Sequence, residues 1–506
     1  MSPADASAPT SRSLFKRMLQ GTSVYTFAFV GQRLASLILL PITTRFLTPS
    51  DYGVGDLVEQ ISGVMGILLG LYYSSALGYF YFKAESDKER RSVVWTSLLG
   101  AGLIGAMASA LCLPFAGTAS RLVFGSDMAV GYLWVAFLLF GPGFFLEALF
   151  SWMRVADRQG MYVVGSLFRV AITILGMVML VAVFRLRVWG VLWTSAAAIL
   201  LTALLLGWMC FRIHRPSFDF QLFIRMAKFT APIGLTGAAS FVINTGDRLI
   251  LPHYTPLGQV GIYVLAYKLG MLVSMVFSSF ESYWGAQAFQ IMKRDDADSV
   301  FSRLFSYVVM GVAFCGLGVV VAARPALTIL AAPAFRGAAA IVPLIVAAYC
   351  IRSIGDFLRV LFVVEGRTGY EAICSWMGAA ICIAGYFILI PRYGIWGAAI
   401  ATDLAFLALT AVTAAWTYRL RPYRVQAKRL SKIGIALVAG LGPYMLLPPG
   451  SLLQQIGVST LSVAIFPVTI WLLRFPTAGE LQVCRSALAS FARRWAWELA
   501  DGGVKK

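Results

Sequence analysis

Charge is what this chain has least of. Asp, Glu, Lys and Arg make up 13% of its 506 residues, 59% are hydrophobic, and the mean hydropathy is +0.78. A soluble domain carries about 25% charged residues, so too few are present to cover a water-facing surface. Histidine is nearly absent, with only His214 and His253, and the seven cysteines are scattered without a C-x-x-C pair. That excludes a zinc site and a disulfide framework, and no metal or cofactor is expected. No G-x-x-x-x-G-K-[ST] occurs, so ATP does not drive the chain directly. Neither an H-E-x-x-H nor a nucleophile–base pair is present, and the chain does not read as an enzyme. The one G-x-G-x-x-G match, "GAGLIG" at 100–105, lies inside an apolar run with no strand before it. Helix packing by small residues explains it better than a nucleotide site.

What is abundant is apolar sequence in blocks of 15 to 27 residues, mostly long enough to cross a hydrocarbon core of roughly 30 Å. Spans are predicted near 22–43, 54–80, 92–116, 129–150, 161–184 and 188–210, then near 229–251, 260–282, 303–323, 339–363, 370–390 and 394–416, with two more near 433–447 and 455–473. The chain thus reads as an all-α polytopic membrane protein of about fourteen transmembrane helices. Residues 1–21 are polar, with Arg12, Lys16 and Arg17, and no small-residue cleavage site follows, so the first span is expected to stay in the mature protein.

Net charge is +19, which in a soluble chain would suggest nucleic acid. With the N-terminus inside, 29 Lys and Arg fall on inner segments and 7 on outer loops, while six lie within spans. That asymmetry places both termini in the cytoplasm, and the positive charge is topology rather than a nucleic-acid footprint. In the tail, Cys484, Leu488, Phe491 and Trp495 share a helical face beside Arg485, Arg493 and Arg494, as in a helix lying on membrane lipid.

The chain is also doubled. "TP" at 48–49 recurs at 255–256, Gly53 as Gly261, Glu147 as Asp356, Arg158 and Gly160 as Arg367 and Gly369, and "WG" at 189–190 as 396–397, all at offsets of 207 to 209. Two homologous six-span halves follow, parallel because six is even. Transporters built this way hold substrate between the halves. The predicted units are a cytoplasmic segment 1–21, an N-lobe 22–210, a cytoplasmic linker 211–228, a C-lobe 229–418, two further spans with a basic loop at 419–473, and an amphipathic cytoplasmic tail 474–506.

"LLPITTRFLTPSDYGVGDL", "GIYVLAYKLGMLVSMVFSSF" and "YGIWGAAIATDLAF" resemble the first-, eighth- and twelfth-span signatures of polysaccharide exporters. The resemblance is to Wzx-type flippases of lipid-linked oligosaccharides, in the superfamily that also holds MATE drug exporters and the lipid II flippase, and it covers about residues 14–420. It implies a MATE-like V of two six-helix lobes around a central cavity, with two C-terminal helices added. It also implies flipping of a polyprenyl-diphosphate-linked glycan across a bacterial inner membrane for O-antigen, capsule or exopolysaccharide synthesis. A glycan polymerase and glycosyltransferases would be partners, and H+ or Na+ the coupling ion.

A charge at the bilayer centre costs at least about 2.5–3.5 kcal/mol, so each charged residue in a span needs a reason. Arg33 lies on a polar stripe with Thr22, Thr26 and Ser36, and a guanidinium fork suits a diphosphate, although an acid on another helix would hold it equally well. Ser240, Asn244, Asp247 and Arg248 share a face of the seventh span; Asn244 could bond sugar hydroxyls, and Asp247 could hold Arg248 or exchange a proton. Arg248 is about a turn from the outer end, where snorkelling would also explain it. Lys268 could line the cavity. Arg352, Asp356 and Arg359 occupy one face of the tenth span, either as substrate-binding groups or as a self-neutralising triad. Asp356 and its repeat partner Glu147 suit ion coupling or salt bridges at an inner gate. Asp56, Glu59 and Gln60 begin the second span on one face; Glu59 joins the coupling candidates, whereas Asp56 is expected to be solvated.

An ion-coupled exporter of small molecules is the main alternative, but Arg33 and Arg352 suit an anionic ligand better than a cationic drug. A membrane polymerase or ligase would carry a longer outer loop than the roughly fifteen residues found here. A non-transporting scaffold for glycan assembly remains a third class.

Overall fold

The computed structural model describes residues 38–213, 216–447 and 450–476. Arg33, most of the first predicted span and the tail helix lie outside the described residues. Within them every regular element is helical.

α1 (Leu40–Phe46) overlaps the C-terminal end of the first predicted span. Thr48 then caps α2 (Pro49–Leu69): its hydroxyl accepts the Asp51 amide at 3.2 Å, and the Asp51 carboxylate accepts the Thr48 amide at 3.0 Å. Pro49, with no N–H to leave unpaired, sits in the first turn. α2 ends at Gly70, whose φ of +120° disfavours other residues and where a β-carbon would lie 2.6 Å from Ile104. A 3₁₀ stretch, Leu71–Ser75, leads into α3 (Ala76–Lys83), so the predicted span at 54–80 is broken.

The N-lobe continues with α4 (Asp87–Cys112), α5 (Ala116–Phe124), α6 (Val130–Leu138), α7 (Phe140–Val155), α8 (Gln159–Gly176, extended to Val183 by a π-helical turn) and α9 (Arg187–Ile213). α6 and α7 meet at 40°. Pro142, in the first turn of α7, has no amide for the Leu138 carbonyl, which favours the bend there. The glycines of "GAGLIG" do pack helices: Gly105 presses on the Phe140 carbonyl, and a β-carbon on Gly100 would lie 2.7 Å from the Tyr73 hydroxyl.

The C-lobe is built from α10 (Phe220–Ile250), α11 (Leu257–Ile291), α12 (Ala297–Leu330), α13 (Ala338–Val364) and α14 (Thr368–Leu420). α14 is an antiparallel hairpin: the chain reverses at Gly394 (φ +55°, ψ −129°), and Tyr386 meets Thr402 hydroxyl to hydroxyl at 3.2 Å. It therefore contains both predicted spans, 370–390 and 394–416. α15 (Ala427–Leu446) and α16 (Leu452–Leu472) pack on α12. Ser459 donates to the Val321 carbonyl at 2.6 Å, and the Arg324 guanidinium lies 4.1 Å from the Tyr444 ring centre.

α10 ties the lobes together. Its first half packs on the N-lobe, with Phe229 stacked on Tyr79 at 4.8 Å and Tyr73 donating to the Met226 sulfur at 3.8 Å. Its second half lies on the α14 hairpin, Gly246 facing Tyr386. Eight helices among the described residues are long and apolar enough to cross a membrane, or ten if each of two bent pairs is one span, with the α14 hairpin counted once. Large apolar side chains stand exposed around the outside, Leu204, Trp208, Ile388 and Leu453 among them, as lipid requires. The chain is a multi-pass membrane protein, all-helical among the described residues.

Candidate functional site: a charged cavity between the lobes

Tyr52, Asp56, Glu59 and Gln60 recur at helical spacing and so share one face of α2. On α10 the same spacing aligns Asn244, Thr245 and Arg248, and on α11 Leu265, Lys268, Leu269 and Leu272. These faces meet in a cavity of about 340 Å³ lined by Asp56, Glu59 and Gln60 from the N-lobe and by Asn244, Thr245, Arg248, Lys268 and Tyr349 from the C-lobe. Met271, Met275 and Leu272 give it an apolar wall.

Both cavity cations reach across the lobe junction. Arg248 contacts the two Asp56 oxygens at 3.2 and 3.3 Å, and its guanidinium lies 4.5 Å from the Tyr267 ring centre. Both side chains of that pair are under 10% exposed. Removing one partner of such a buried pair typically costs about 3–5 kcal/mol, because the other charge is left unpaired. Lys268 donates to the Tyr52 hydroxyl at 2.6 Å, and Tyr52 meets Phe335 edge to face at 5.6 Å. Among the described residues neither cation is saturated: the Arg248 Nε finds no hydrogen-bond partner there, and of the three donors that an ammonium group offers, Lys268 uses one on Tyr52.

Asp56 departs from the sequence expectation. It is buried rather than solvated, and Arg248 is paired rather than snorkelling. The three-residue step to Glu59 was the available signal, but the partner lies 192 residues away, and no local pattern reveals it.

Asp247 leaves the stripe. It is fully buried inside the C-lobe, accepting the Tyr263 hydroxyl at 2.5 Å and the Arg248 amide at 2.9 Å. Its neighbours Tyr267 and Tyr386 are also buried. Asn244 stays on the cavity wall, its Nδ2 donating to the Ser240 carbonyl at 2.6 Å and its Oδ1 accepting from Arg352. Arg352 thus reaches the cavity rim through Asn244. It also lies 3.5 Å from Asp356, which pairs with Arg359 as well. Asp356 and Arg359 line a separate pocket of about 170 Å³ with Glu281 and Glu371. Glu147 pairs with Arg154 at 3.4 Å on a half-exposed stretch of α7, in the other lobe. Four candidates therefore line one cavity (Glu59, Asn244, Arg248 and Lys268), Arg352 adjoins it, and Asp247, Asp356, Arg359 and Glu147 lie elsewhere. Among the described residues no group of three or more His, Cys, Asp or Glu could hold a metal ion.

Residues 18–284 match the polysaccharide biosynthesis protein family. The chain belongs to that family. No curated protein sequence matches it. Its fold is shared with solved transporter structures. The lipid II flippase MurJ in an inward closed conformation superposes with a TM-score of 0.72 at 15% identity, over 88% of this chain and 98% of that one. An inward-facing multidrug resistance MATE family transporter of the MOP superfamily gives 0.59 at 16% identity, over 77% and 94%. A MOP superfamily transporter from Pyrococcus furiosus, described by the reverse polarity of its binding pocket, gives 0.51 at 16%, over 80% and 94%. At these identities the likeness concerns the fold. This polysaccharide biosynthesis protein thus has an architecture found in a flippase and in exporters.

Proposed function

We propose that this family member flips a polyprenyl-diphosphate-linked oligosaccharide from the inner to the outer leaflet of a bacterial cytoplasmic membrane, for assembly of a surface polysaccharide. The observation that carries this reading is the pair Arg248 and Lys268: two cations in one interlobe cavity, each holding the opposite lobe and each with donors to spare. A diphosphate presents several oxygens to such donors, and a guanidinium can take two of them at once. Asn244, with Arg352 behind it, offers an amide to sugar hydroxyls. The lipid tail would remain in the bilayer while the lobes alternate access around the headgroup. The likeness to a lipid II flippase supports a lipid-linked substrate.

In this scheme Arg33 adds a further anion-binding group, and Arg359 serves the glycan or the inner gate. Glu59, in the cavity, is the first candidate for H+ or Na+ coupling. Asp247 acts through Arg248, and Asp356 and Glu147 act at the inner ends of their lobes. Both termini face the cytoplasm. A glycan polymerase and glycosyltransferases would supply and consume the lipid-linked glycan.

The deciding experiment is flipping of a fluorescent polyprenyl-diphosphate oligosaccharide in liposomes holding the purified chain. Protein-dependent exposure of the label to an outside quencher, lost in Lys268→Met, is expected. Asp56 and Glu59 in the same cavity favour one other reading, an ion-coupled exporter of cationic small molecules. Export of such a cation with no movement of the glycolipid would replace the first reading by the second.

A further inference from the structure

At the end of the N-lobe remote from Gly53, α3, α4 and the turn after α7 line a further charged pocket. It measures about 220 Å³ and is lined by Tyr81, Asp87, Arg90, Arg91 and Arg158, with Ala156 at its wall. Ligand sites for drug-sized molecules run from about 300 to 1,000 Å³, so this one suits a small headgroup. Arg90 reaches Asp87 at 3.8 Å and lies 5.8 Å from the Tyr81 ring centre. Among the described residues neither Arg91 nor Arg158 makes an ion pair. The N-terminus of α4 is capped by Ser86, which accepts the Glu89 amide at 3.2 Å, and its first turn already carries the carboxylates of Asp87 and Glu89. The positive character of the pocket therefore comes from the arginines.

An excess of basic residues at inner loops is expected for topology alone. The repeat provides an internal control against that explanation. At the offset of 209, Asp87 corresponds to Asp296, Arg90 to Ser299, Arg91 to Val300, Ala156 to Glu365 and Arg158 to Arg367. The C-lobe corner thus loses two arginines and gains a carboxylate. Two cations of that corner are paired: Arg294 with Asp296 at 2.8 Å, and Arg421 with Asp298 at 3.0 Å and Glu365 at 3.7 Å. At these equivalent positions the N-lobe set of Asp87, Arg90, Arg91 and Arg158 is net positive and the C-lobe set of Asp296, Glu365 and Arg367 is net negative, so the N-lobe arginines are more than a topological average.

The helix that contributes Tyr81 to the pocket also carries exposed aromatics. On α3, Tyr79 and Phe82 are 50% and 75% exposed, the aromatic pattern of a membrane–water interface. We propose that Arg90, Arg91 and Arg158 form a binding site for the phosphate of an anionic phospholipid headgroup, in the leaflet on the side of the termini. The site is distinct from the interlobe cavity and independent of what that cavity carries. Two or three guanidinium groups on one phosphate form charge-assisted hydrogen bonds, while the acyl chains lie along the exposed aromatics of α3.

The test uses the purified full chain in a neutral detergent. Its thermal unfolding midpoint is followed during titration with phosphatidylglycerol, phosphatidylcholine or inorganic phosphate, since a ligand that binds the folded state raises the midpoint. A saturable rise with phosphatidylglycerol is expected at concentrations where the other two have little effect. Arg90→Gln with Arg158→Gln should weaken the apparent affinity by about tenfold or more, the scale of losing one charge-assisted bond. Ala156→Glu, which installs the residue of the C-lobe corner, should do the same and keeps the proposal testable if the double variant fails to fold. Arg294→Gln with Arg367→Gln in the C-lobe should leave the response unchanged. An equal response to inorganic phosphate would make the ligand a free anion and overturn the lipid assignment. Unaltered affinity in Ala156→Glu, or equal loss in the C-lobe control, would overturn the site.

Discussion

Gly53 of α2 and Gly261 of α11, equivalent positions of the two repeats, pack directly on each other across the lobe junction. A β-carbon on Gly53 would lie 2.6 Å from the Leu257 carbonyl oxygen and 3.1 Å from the Gly261 amide, and one on Gly261 would overlap the Pro49 carbonyl. Equivalent residues meeting in this way mark where the axis relating the lobes passes. Any side chain at either position must push the helices apart at their predicted outer ends.

Gly261→Val is expected to prop that end open. Spin labels on α2 and α11 should report a longer distance there than in the parent chain, and glycolipid flipping should fall well below half. An unchanged distance with full transport would show that the close approach is incidental.

The Arg248–Asp56 pair predicts a non-additive result. Arg248→Gln leaves a buried carboxylate alone and should destabilise by about 3–5 kcal/mol. Asp56→Asn together with Arg248→Gln should recover part of that loss. Thermal unfolding of the two single variants and the double closes the cycle. Simple additivity would mean the charges do not interact.

Thiol labelling separates the two acids that sequence spacing groups differently. In a background without reactive cysteines, Asn244→Cys and Glu59→Cys should react with a water-soluble maleimide, because both positions line the cavity. Asp247→Cys should stay protected, since Asp247 is completely buried in the C-lobe. Rapid labelling at 247 would contradict the packing of Tyr263 and Tyr386 around it.

Reporter fusions after residues 215 and 425 should both report the cytoplasmic side, because basic residues divide 29 to 7 between the two faces. A periplasmic signal at either position would reverse the orientation, and with it the leaflet of the phospholipid site.

The sequence by itself determined the class of the protein. Apolar blocks of spanning length dictate helices, because a backbone in lipid must satisfy its own hydrogen bonds. Offsets of 207 to 209 point to a doubled chain, and Gly53 and Gly261, one of the matched pairs, meet at the lobe junction. Helical periodicity also aligned Asn244 with Arg248 and placed Glu59 and Lys268 within spans, and all four line the cavity. Tertiary structure decided which charges pair. Periodicity puts Asp247 on the same stripe as Asn244, yet a stripe spans an arc of the helix, and the α11 tyrosines enclose one edge of it while the cavity takes the other. Asp56 looks solvated because it lies at the start of the predicted second span, but Arg248 reaches it from 192 residues away. Sequence spacing reports the angle of a side chain around its own helix, and only the packing of the second helix determines what stands opposite.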